Sequence, residues 1–181
     1  MTKNPANLRG TKVYLRHPQA SDFAELSELY ATSRGHLRGF AATEFGEPEF
    51  EQLLVSAAQD TNEYFLIWQI DSDKIMGTIN LSQIFRKAFQ NAYLGYMLGA
   101  GFTGRGYMTE SVALVLRFAF EELKLHRVEA NVQPSNLPSI HVLQRNGFSK
   151  EGFSRRYIKI GGRWRDHERW AILSEDRKHR R

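Results

Sequence analysis

The chain has no cysteine among its 181 residues. That absence excludes disulfides, thiolate metal sites, redox dithiols and a cysteine nucleophile from its chemistry. Long hydrophobic runs are missing too, since no stretch approaches the roughly 20 apolar residues a helix needs to cross a bilayer. Met1–Thr11 lacks the apolar centre of a signal peptide, so the chain reads as a soluble, cytoplasmic protein with no membrane partner. None of the six histidines pairs with another at metal-ligand spacing beside a carboxylate, and no metal is expected. Internal repeats, low-complexity segments and linkers are absent as well. The expectation is one domain over residues 1–181, with 1–10 and 175–181 as flexible ends.

What is present is 41% hydrophobic, 25% charged and 12% aromatic, the composition of an ordinary globular domain with a sizeable core. The formal charge is +5, from 25 Lys and Arg against 20 Asp and Glu, which suits an anionic partner or cofactor without requiring one. Basic residues crowd the C-terminal third: Arg155, Arg156, Lys159, Arg163, Arg165, Arg169 and the tail Arg177, Lys178, Arg180, Arg181. They read first as a solvated face and a frayed tail, and second as a nucleic-acid contact. The interleaved Phe153, Tyr157, Trp164 and Trp170 read as strand residues rather than an ordered stacking platform.

Lys12–Arg16 is an expected strand, and Ser21 with Asp22 can cap a helix to about Ser33 with Phe23, Leu26, Leu29 and Tyr30 on one face. A loop with Gly35, Gly39 and Gly46 follows. Pro48 then opens a second helix whose stripe is Phe50, Leu53, Leu54 and Ala57 or Ala58. The period next changes to two: Tyr64–Ile70 and Ile75–Ile84 form a hairpin about Asp71–Lys74, and Ala92–Leu98 is a further strand. Gly106–Leu123 reads as an apolar helix, Arg127–Val132 as a strand and Pro138–Asn146 as a short helix stopped by Gly147. Phe148–Ile160 and Arg163–Ile172 pair through Gly161-Gly162, with Phe148 and Trp170 in the core. The order β-α-α-β-β-β-α-β-α-β-β defines a mixed α/β (α+β) domain.

Five of the fourteen glycines fall between Gly95 and Gly106. A strand that ends in such a loop and passes into a helix aims bare N–H groups and the positive end of the helix dipole at one spot, which suits phosphate. Arg105 adds a cation there. A nucleotide-triphosphate loop would need Lys and then Ser or Thr after Gly106, where Tyr107 and Met108 stand, so that reading fails. Gly99-x-Gly101-x-x-Gly104 matches the dinucleotide fingerprint literally, yet only 77 residues follow it, too few for the repeated parallel unit that fold requires.

The segment also resembles the acyl-CoA pyrophosphate loop of the GNAT superfamily of N-acyltransferases. That loop runs Gln or Arg, two residues, Gly, one residue, Gly or Ala, which falls here on Thr103, Gly106 and Met108, with departures at the first and last. The surrounding text is closer. Gly77-x-x-Asn80-x-Ser82, Ala92-Tyr93-Leu94-Gly95-Tyr96, Gly104-Arg105-Gly106-Tyr107-Met108-x-Glu110, Asn136-x-x-Ser139 and Arg145-x-Gly147-Phe148-x-x-Glu151-Gly152 are similar to the ribosomal-protein N-acetyltransferases. So is Gly162-x-Trp164-Arg165-Asp166-His167, and the alanine-specific RimJ-type branch of the RimJ/RimL family is the nearest likeness. The blocks span Gly77–His167 in order; the first seventy residues share only the two helices.

The resemblance implies acetyl-CoA as cofactor and a twisted, mostly antiparallel mixed sheet with helices on both faces. It also implies a splay between the fourth and fifth strands, Ala92–Leu98 and Arg127–Val132. Pantetheine would pair in that splay, with a backbone N–H near Met97 or Leu98 facing the thioester oxygen. Gly104, Arg105, Gly106, Tyr107, Met108, Thr109, Asn131, Asn136 and Arg145 are the further cofactor-binding candidates. Direct transfer needs a neutral amine, a polarised carbonyl and a proton for the departing thiolate. The tyrosine that often supplies that proton is replaced by Leu143. Ser139, one helical turn earlier on the same face, matches a serine given that role in the related serine-specific branch, and also reads as an ordinary helix N-terminal serine. Asn131 and Asn136 likewise read as turn and cap residues.

No base has a motif. Glu44, Glu47 or Glu49, in the loop between the first two helices, could reach the acceptor directly or through water, Glu110 on a first helical turn suits the dipole at least as well as the reaction, and Glu129 stands in a strand beside Asn131. Asp166 and His167 are strand neighbours on opposite faces, not a dyad. Asn80, Tyr96 and Tyr157 are the acceptor-binding candidates. The expected acceptor is the α-amino group of a protein N-terminus, a ribosomal protein in the resembled branch, with ribosome or RNA contact through the basic third. A polyamine or aminoglycoside acceptor, and a cofactor-binding protein without turnover, are the alternatives. The assembly is expected to be a monomer or homodimer.

Overall fold

The computed structural model describes residues 8–40 and 44–178. Within them the chain runs β1 (Leu8–Arg9), β2 (Val13–Arg16), α1 (Phe23–Leu37), α2 (Glu47–Ala58), β3 (Glu63–Gln69), β4 (Ile75–Phe85), β5 (Asn91–Leu98) and α3 (Tyr107–Arg117). It continues through β6 (Arg127–Val132), α4 (Leu137–Arg145), β7 (Ser149–Ile160), β8 (Arg163–Leu173) and α5 (Ser174–Lys178). The expected order of elements is present, with two additions. Residues 8–9 and 175–178, which the sequence reading assigns to flexible ends, lie in β1 and α5; β1 pairs Leu8 with Leu15 and Arg9 with Tyr14. Residues 1–7 and 179–181 fall outside the described residues.

The eight strands form one sheet in the order β1-β2-β3-β4-β5-β6-β8-β7. Every pairing is antiparallel except β5 with β6. That parallel pairing stops after Asn91↔Arg127, Ala92↔Val128 and Tyr93↔Glu129. Both strands run on, β5 held by β4 as far as Gly77↔Leu98 and β6 held by β8 as far as Val132↔Glu168. The sheet therefore opens between them, in the expected place.

Alternation along the strands gives the sheet two apolar faces. One packs Phe65, Ile79, Leu94, Val128, Ala130 and Trp170 against Val112, Val115 and Leu116 of α3 and Leu143 of α4. The other packs Leu66, Trp68, Ile75 and Met97 against Leu26, Leu29 and Tyr30 of α1 and Phe50 and Leu53 of α2. Each Val, Leu, Ile, Phe or Met side chain among them contributes about 1.5–3 kcal/mol on burial. α1 and α2 cover the β3–β4 half of their face; the β5–β6–β8 half carries polar side chains instead. Among the described residues no helix is long and apolar enough to cross a membrane.

Three local departures have physical causes. α1 runs past the expected Ser33 because Leu37, only 5% exposed, extends the stripe of Leu26 and Tyr30 into the second core. Burying it outweighs the roughly 1 kcal/mol penalty of Gly35 inside the helix. Asp22 does not cap α1. Its two oxygens take the Arg16 guanidinium at 2.7 and 2.8 Å and the Gln19 N–H at 2.7 Å, a bidentate charge-assisted arrangement stronger than a neutral cap. The helix after α3 widens at Phe118–Glu122 into a π-helical turn closed by Leu123 N–H on Phe118 O at 3.0 Å.

Glu110 fastens the β1–β2 turn to α3. Its Oε1 accepts from Thr11 N–H, from Thr11 Oγ1 at 3.1 Å and from Lys12 N–H at 3.1 Å, and a Cβ at Gly10 would collide with the carboxylate. Glu110→Ala removes these hydrogen bonds, which lie at the exposed Thr11 and Lys12, and is expected to lower unfolding stability by about 0.5–1.5 kcal/mol. Thermal denaturation followed by circular dichroism should show Tm falling by about 2–4 °C per kcal/mol at this chain length; an unchanged Tm contradicts the fastening role.

Candidate active site

Beyond Tyr93 and Glu129 the facing edges of β5 and β6 have no ladder partner. An open edge of that kind accepts an extended ligand as an additional strand, and residues 94–98, Met97 and Leu98 among them, supply its backbone groups. Tyr96 spans the opening. Its hydroxyl lies 2.7 Å from Ser139 Oγ and 3.3 Å from the Ser139 carbonyl oxygen, on α4. α4 is set in place by three contacts. Leu143 is fully buried in the main core, Asn136 Oδ1 accepts the Ser139 N–H at 3.3 Å, and Asn146 Nδ2 donates to Thr109 O at 3.2 Å. Burial pushes the Tyr96 phenol up to about 12, against the opposing hydrogen bond with Ser139. The phenol therefore keeps its proton through neutral pH.

The glycine loop ends beside this opening. Gly104 and Gly106 hold φ of +76° and +82°, and Gly106 is the N-cap of α3. The Glu110 N–H donates to Gly106 O at 3.1 Å, while the amides ahead of it have no acceptor within the helix. Arg105 is exposed there. Lys12 brings a second cation, its Nζ 3.4 Å from Arg105 O. Sequence reasoning missed Lys12 because the approach depends on the two-residue β1, whose signal is too short to read. The result is an anion cradle of backbone donors flanked by two cations. Tyr107 and Met108 bury their side chains in the core, the former accepting a hydrogen bond from Gln69 Nε2 at 3.0 Å, so only their backbone N–H groups are available to a ligand. Arg145 is exposed at the end of α4.

Across the sheet, on the face α1 and α2 leave open, stand Tyr93, Glu129 and Asn131. Asn91 is fully buried beneath them and donates to Glu129 Oε1 at 3.3 Å. Arg127 Nε donates to the same oxygen at 2.8 Å and the guanidinium also grips Glu151, holding Glu151 below the usual carboxylate range. The Tyr93 phenol is raised, chiefly by burial and then by the Glu129 charge. Asn80 faces Gly95 across the β4–β5 ladder, with its amide where a Cβ at Gly95 would sit. Tyr157 is 42% exposed and meets His167 edge to face at 6.3 Å.

His167 is itself buried, with Nδ1 3.0 Å from Arg165 O, whereas Asp166 is exposed and accepts the Arg156 N–H at 2.7 Å. They share no contact, as strand geometry demands. Of the carboxylates near the inter-helix loop, Glu49 Oε2 accepts the Gly46 N–H at 2.9 Å and serves as a helix cap; Glu44 and Glu47 are exposed. Among the described residues no three His, Asp or Glu are grouped to hold a metal.

A sheet split between two parallel strands, with a helix N-terminus and glycine loop beside the split, is the arrangement that the resemblance to the N-acyltransferases implies. Residues 12–149 match the Acetyltransferase (GNAT) domain family, and the chain belongs to it. It is 39% identical over 177 residues to YjcK of Bacillus subtilis, named a probable N-acetyltransferase, covering 93% of this chain and 98% of that protein. It is 37% identical over 113 residues to the ribosomal protein uS5-alanine N-acetyltransferase of Escherichia coli, covering 62% of this chain and 58% of that protein. The fold superposes on Mycobacterium smegmatis RimJ, solved in complex with CoA-disulfide, with a TM-score of 0.84 at 28% identity over 96% of this chain and 87% of that one. The protein is an N-acetyltransferase with acetyl-CoA as donor.

The loop's glycines are not equivalent. Gly101 has open space around it and no positive φ, whereas Gly106 holds the left-handed conformation at the helix start. Gly106→Ala should lower stability by about 1–2 kcal/mol, while Gly101→Ala stays within about 0.5 kcal/mol of the parent. Urea titration of both variants checks this; an equal or larger loss for Gly101→Ala would contradict the special role of the left-handed turn at Gly106.

Proposed function

We propose that this acetyltransferase modifies the α-amino group of a protein N-terminus, and that the protein is ribosomal. The observation that carries the reading is the open acceptor face. Its floor is Asn80, Tyr93 and Asn131, and its two carboxylates Glu129 and Glu151 both pair with Arg127, with Arg169 as a second cation acting on Glu151. A polyamine or aminoglycoside needs an excess of negative charge, which this floor does not offer; a charge-balanced, uncovered face suits a peptide. The likeness to the uS5-alanine enzyme and to RimJ supports the ribosomal acceptor.

In this reading the amides of Gly104–Thr109, with Arg105 and Lys12, hold the pyrophosphate. The edge at Met97 and Leu98 aligns the thioester carbonyl, and the Asn131 and Asn136 side chains flank the arm. Arg145 stands ready for an outer phosphate. Asn80, Tyr96 and Tyr157 line the approach of the acceptor. As the C–N bond forms and the C–S bond breaks, Ser139 gives its hydroxyl proton to the departing sulfur and takes one from Tyr96. The proton shed by the attacking amine, passed through solvent, restores Tyr96. Leu143 holds the family's usual tyrosine position but is sealed in the core, so the phenol is supplied from the opposite wall. The α-amine titrates near 8 and is partly neutral at physiological pH, so a strong base is unnecessary.

Purified protein with acetyl-CoA should release thiol with peptides beginning Ala, Ser or Met and not with polyamines or aminoglycosides, mass spectrometry placing the acetyl on the α-amine. Transfer to small amines alone overturns the reading. Ser139→Ala is expected to lower kcat about 100-fold and Tyr96→Phe about tenfold, the loss of one hydrogen bond. The Michaelis constant for acetyl-CoA should stay unchanged in both. kcat/KM should rise with pH as the amine deprotonates near 8 and stay level to about 11, because Tyr96 loses its proton only near 12. A descending limb below pH 10 would show that another acid serves.

A further inference from the structure

β6 ends at Val132↔Glu168, but β7 and β8 continue past it, paired only with each other, from Phe153 to His167. This two-stranded ribbon overhangs the end of the sheet where β5 and β6 diverge. It carries Arg155, Arg156, Lys159, Arg163 and Arg165 against the single carboxylate Asp166. Among the described residues no carboxylate forms an ion pair with any of these five cations. Asp166 instead takes the backbone N–H of Arg156, inside a bulge where residues 155–157 oppose Asp166 alone. Phe153 is 51% exposed and Trp164 is 60% exposed. Trp164 and Glu168 alternate onto one face of β8, and Phe153 is the ladder partner of Glu168, so both rings lie on that face.

The sequence reading treats these aromatics as strand residues rather than a stacking surface. They are in strands, yet they project outward beside unpaired cations. Lys159 pairs with Trp164 on one face of the ribbon, while Arg163 and Arg165 alternate onto the other. Cations on both faces do not fit a membrane, which needs one apolar side. Flat, free aromatic faces among cations offer more than an acidic peptide uses, and they match the two halves of an unpaired nucleotide, base and phosphate.

We propose that the β7–β8 ribbon docks unpaired RNA, bases stacking on Trp164 and Phe153 while phosphates run along Lys159, Arg163, Arg155 and Arg156. The choice of RNA over single-stranded DNA rests on the ribosomal acceptor proposed above; the stacking and charge do not. The acceptor N-terminus would then be presented to the cleft by a chain already lying against RNA.

The test is fluorescence anisotropy with a labelled, unstructured 12-nucleotide RNA, without acetyl-CoA, across a salt series. The same sequence as DNA, a duplex RNA and polyglutamate serve as competitors. Four phosphate contacts predict a slope of log K against log salt of about −3. Lys159→Gln with Arg163→Gln should flatten that slope by about 1.4 and leave acetylation of a free peptide unchanged. Trp164→Ala should weaken binding about tenfold with the slope unaltered. Both variants lie at an exposed tip, and an unaltered Tm separates lost contacts from lost folding. No RNA binding, variants that bind like the parent, equal competition by polyglutamate, or preference for duplex overturns the ribbon assignment; preference for DNA overturns RNA as the ligand. Because transfer to free peptides is read separately, loss of either proposal leaves the other measurable.

Discussion

The constraint on which the rest of the structure depends is the early end of the β5–β6 pairing. A gap in a sheet is normally costly, since each strand loses ladder bonds and exposes an edge. Here each strand is fully paired on its other side, β5 to β4 through Leu98 and β6 to β8 through Val132, so neither can cross to close the opening. The Tyr96 hydroxyl bridges to α4 at Ser139, and α4 is itself fixed by Leu143 in the core and by Asn146 on α3. The opening therefore lies between two half-sheets, each held by its own neighbour, and it leaves an unpaired backbone edge on either side.

The anion cradle follows the same logic of using backbone rather than side chain. Its donors are amides at a helix start, and what the sequence must provide is the left-handed turn at Gly104 and Gly106. The positions where this loop departs from the family pattern serve the fold instead. Thr103 Oγ1 donates to Ala100 O at 3.2 Å, closing the short turn before the helix, and Met108 packs in the core. Neither side chain replaces a backbone amide at the helix start, so the cradle's donors are the same with these residues as with the family's own.

How much was legible follows from the range of each signal. Strand alternation, the apolar stripe of α3 and the glycine loop are local, and the sequence alone places them within a few residues. The split was legible only by resemblance, because no periodicity says that two strands stop pairing at Tyr93 and Glu129. Lys12 beside Arg105 and Tyr96 against Ser139 were illegible, being separated by 93 and 43 residues and joined only by the fold. Asp22 was misread for a related reason: its preference for a cap is local, and Arg16 on a neighbouring element overrides it with two charge-assisted bonds.

Glu110 and Leu143 together show why matching a family position does not transfer its role. Glu110 matches the family text and sits one turn from the cradle, where a carboxylate could be drawn as a base. Its Oε1 is committed to the two amides and the hydroxyl of the β1–β2 turn, and that turn is what carries Lys12 to the loop. Its contribution to the site is to position a cation of the opposite sign. Leu143 stands where a phenol is usual, yet it is the residue that locks α4 against α3. A tyrosine there would need a path out of a fully buried position, whereas a phenol on β5 already reaches Ser139. A phenol from the other wall leaves the core intact, and its hydrogen bond to Ser139 joins α4 to the strand that defines one edge of the opening.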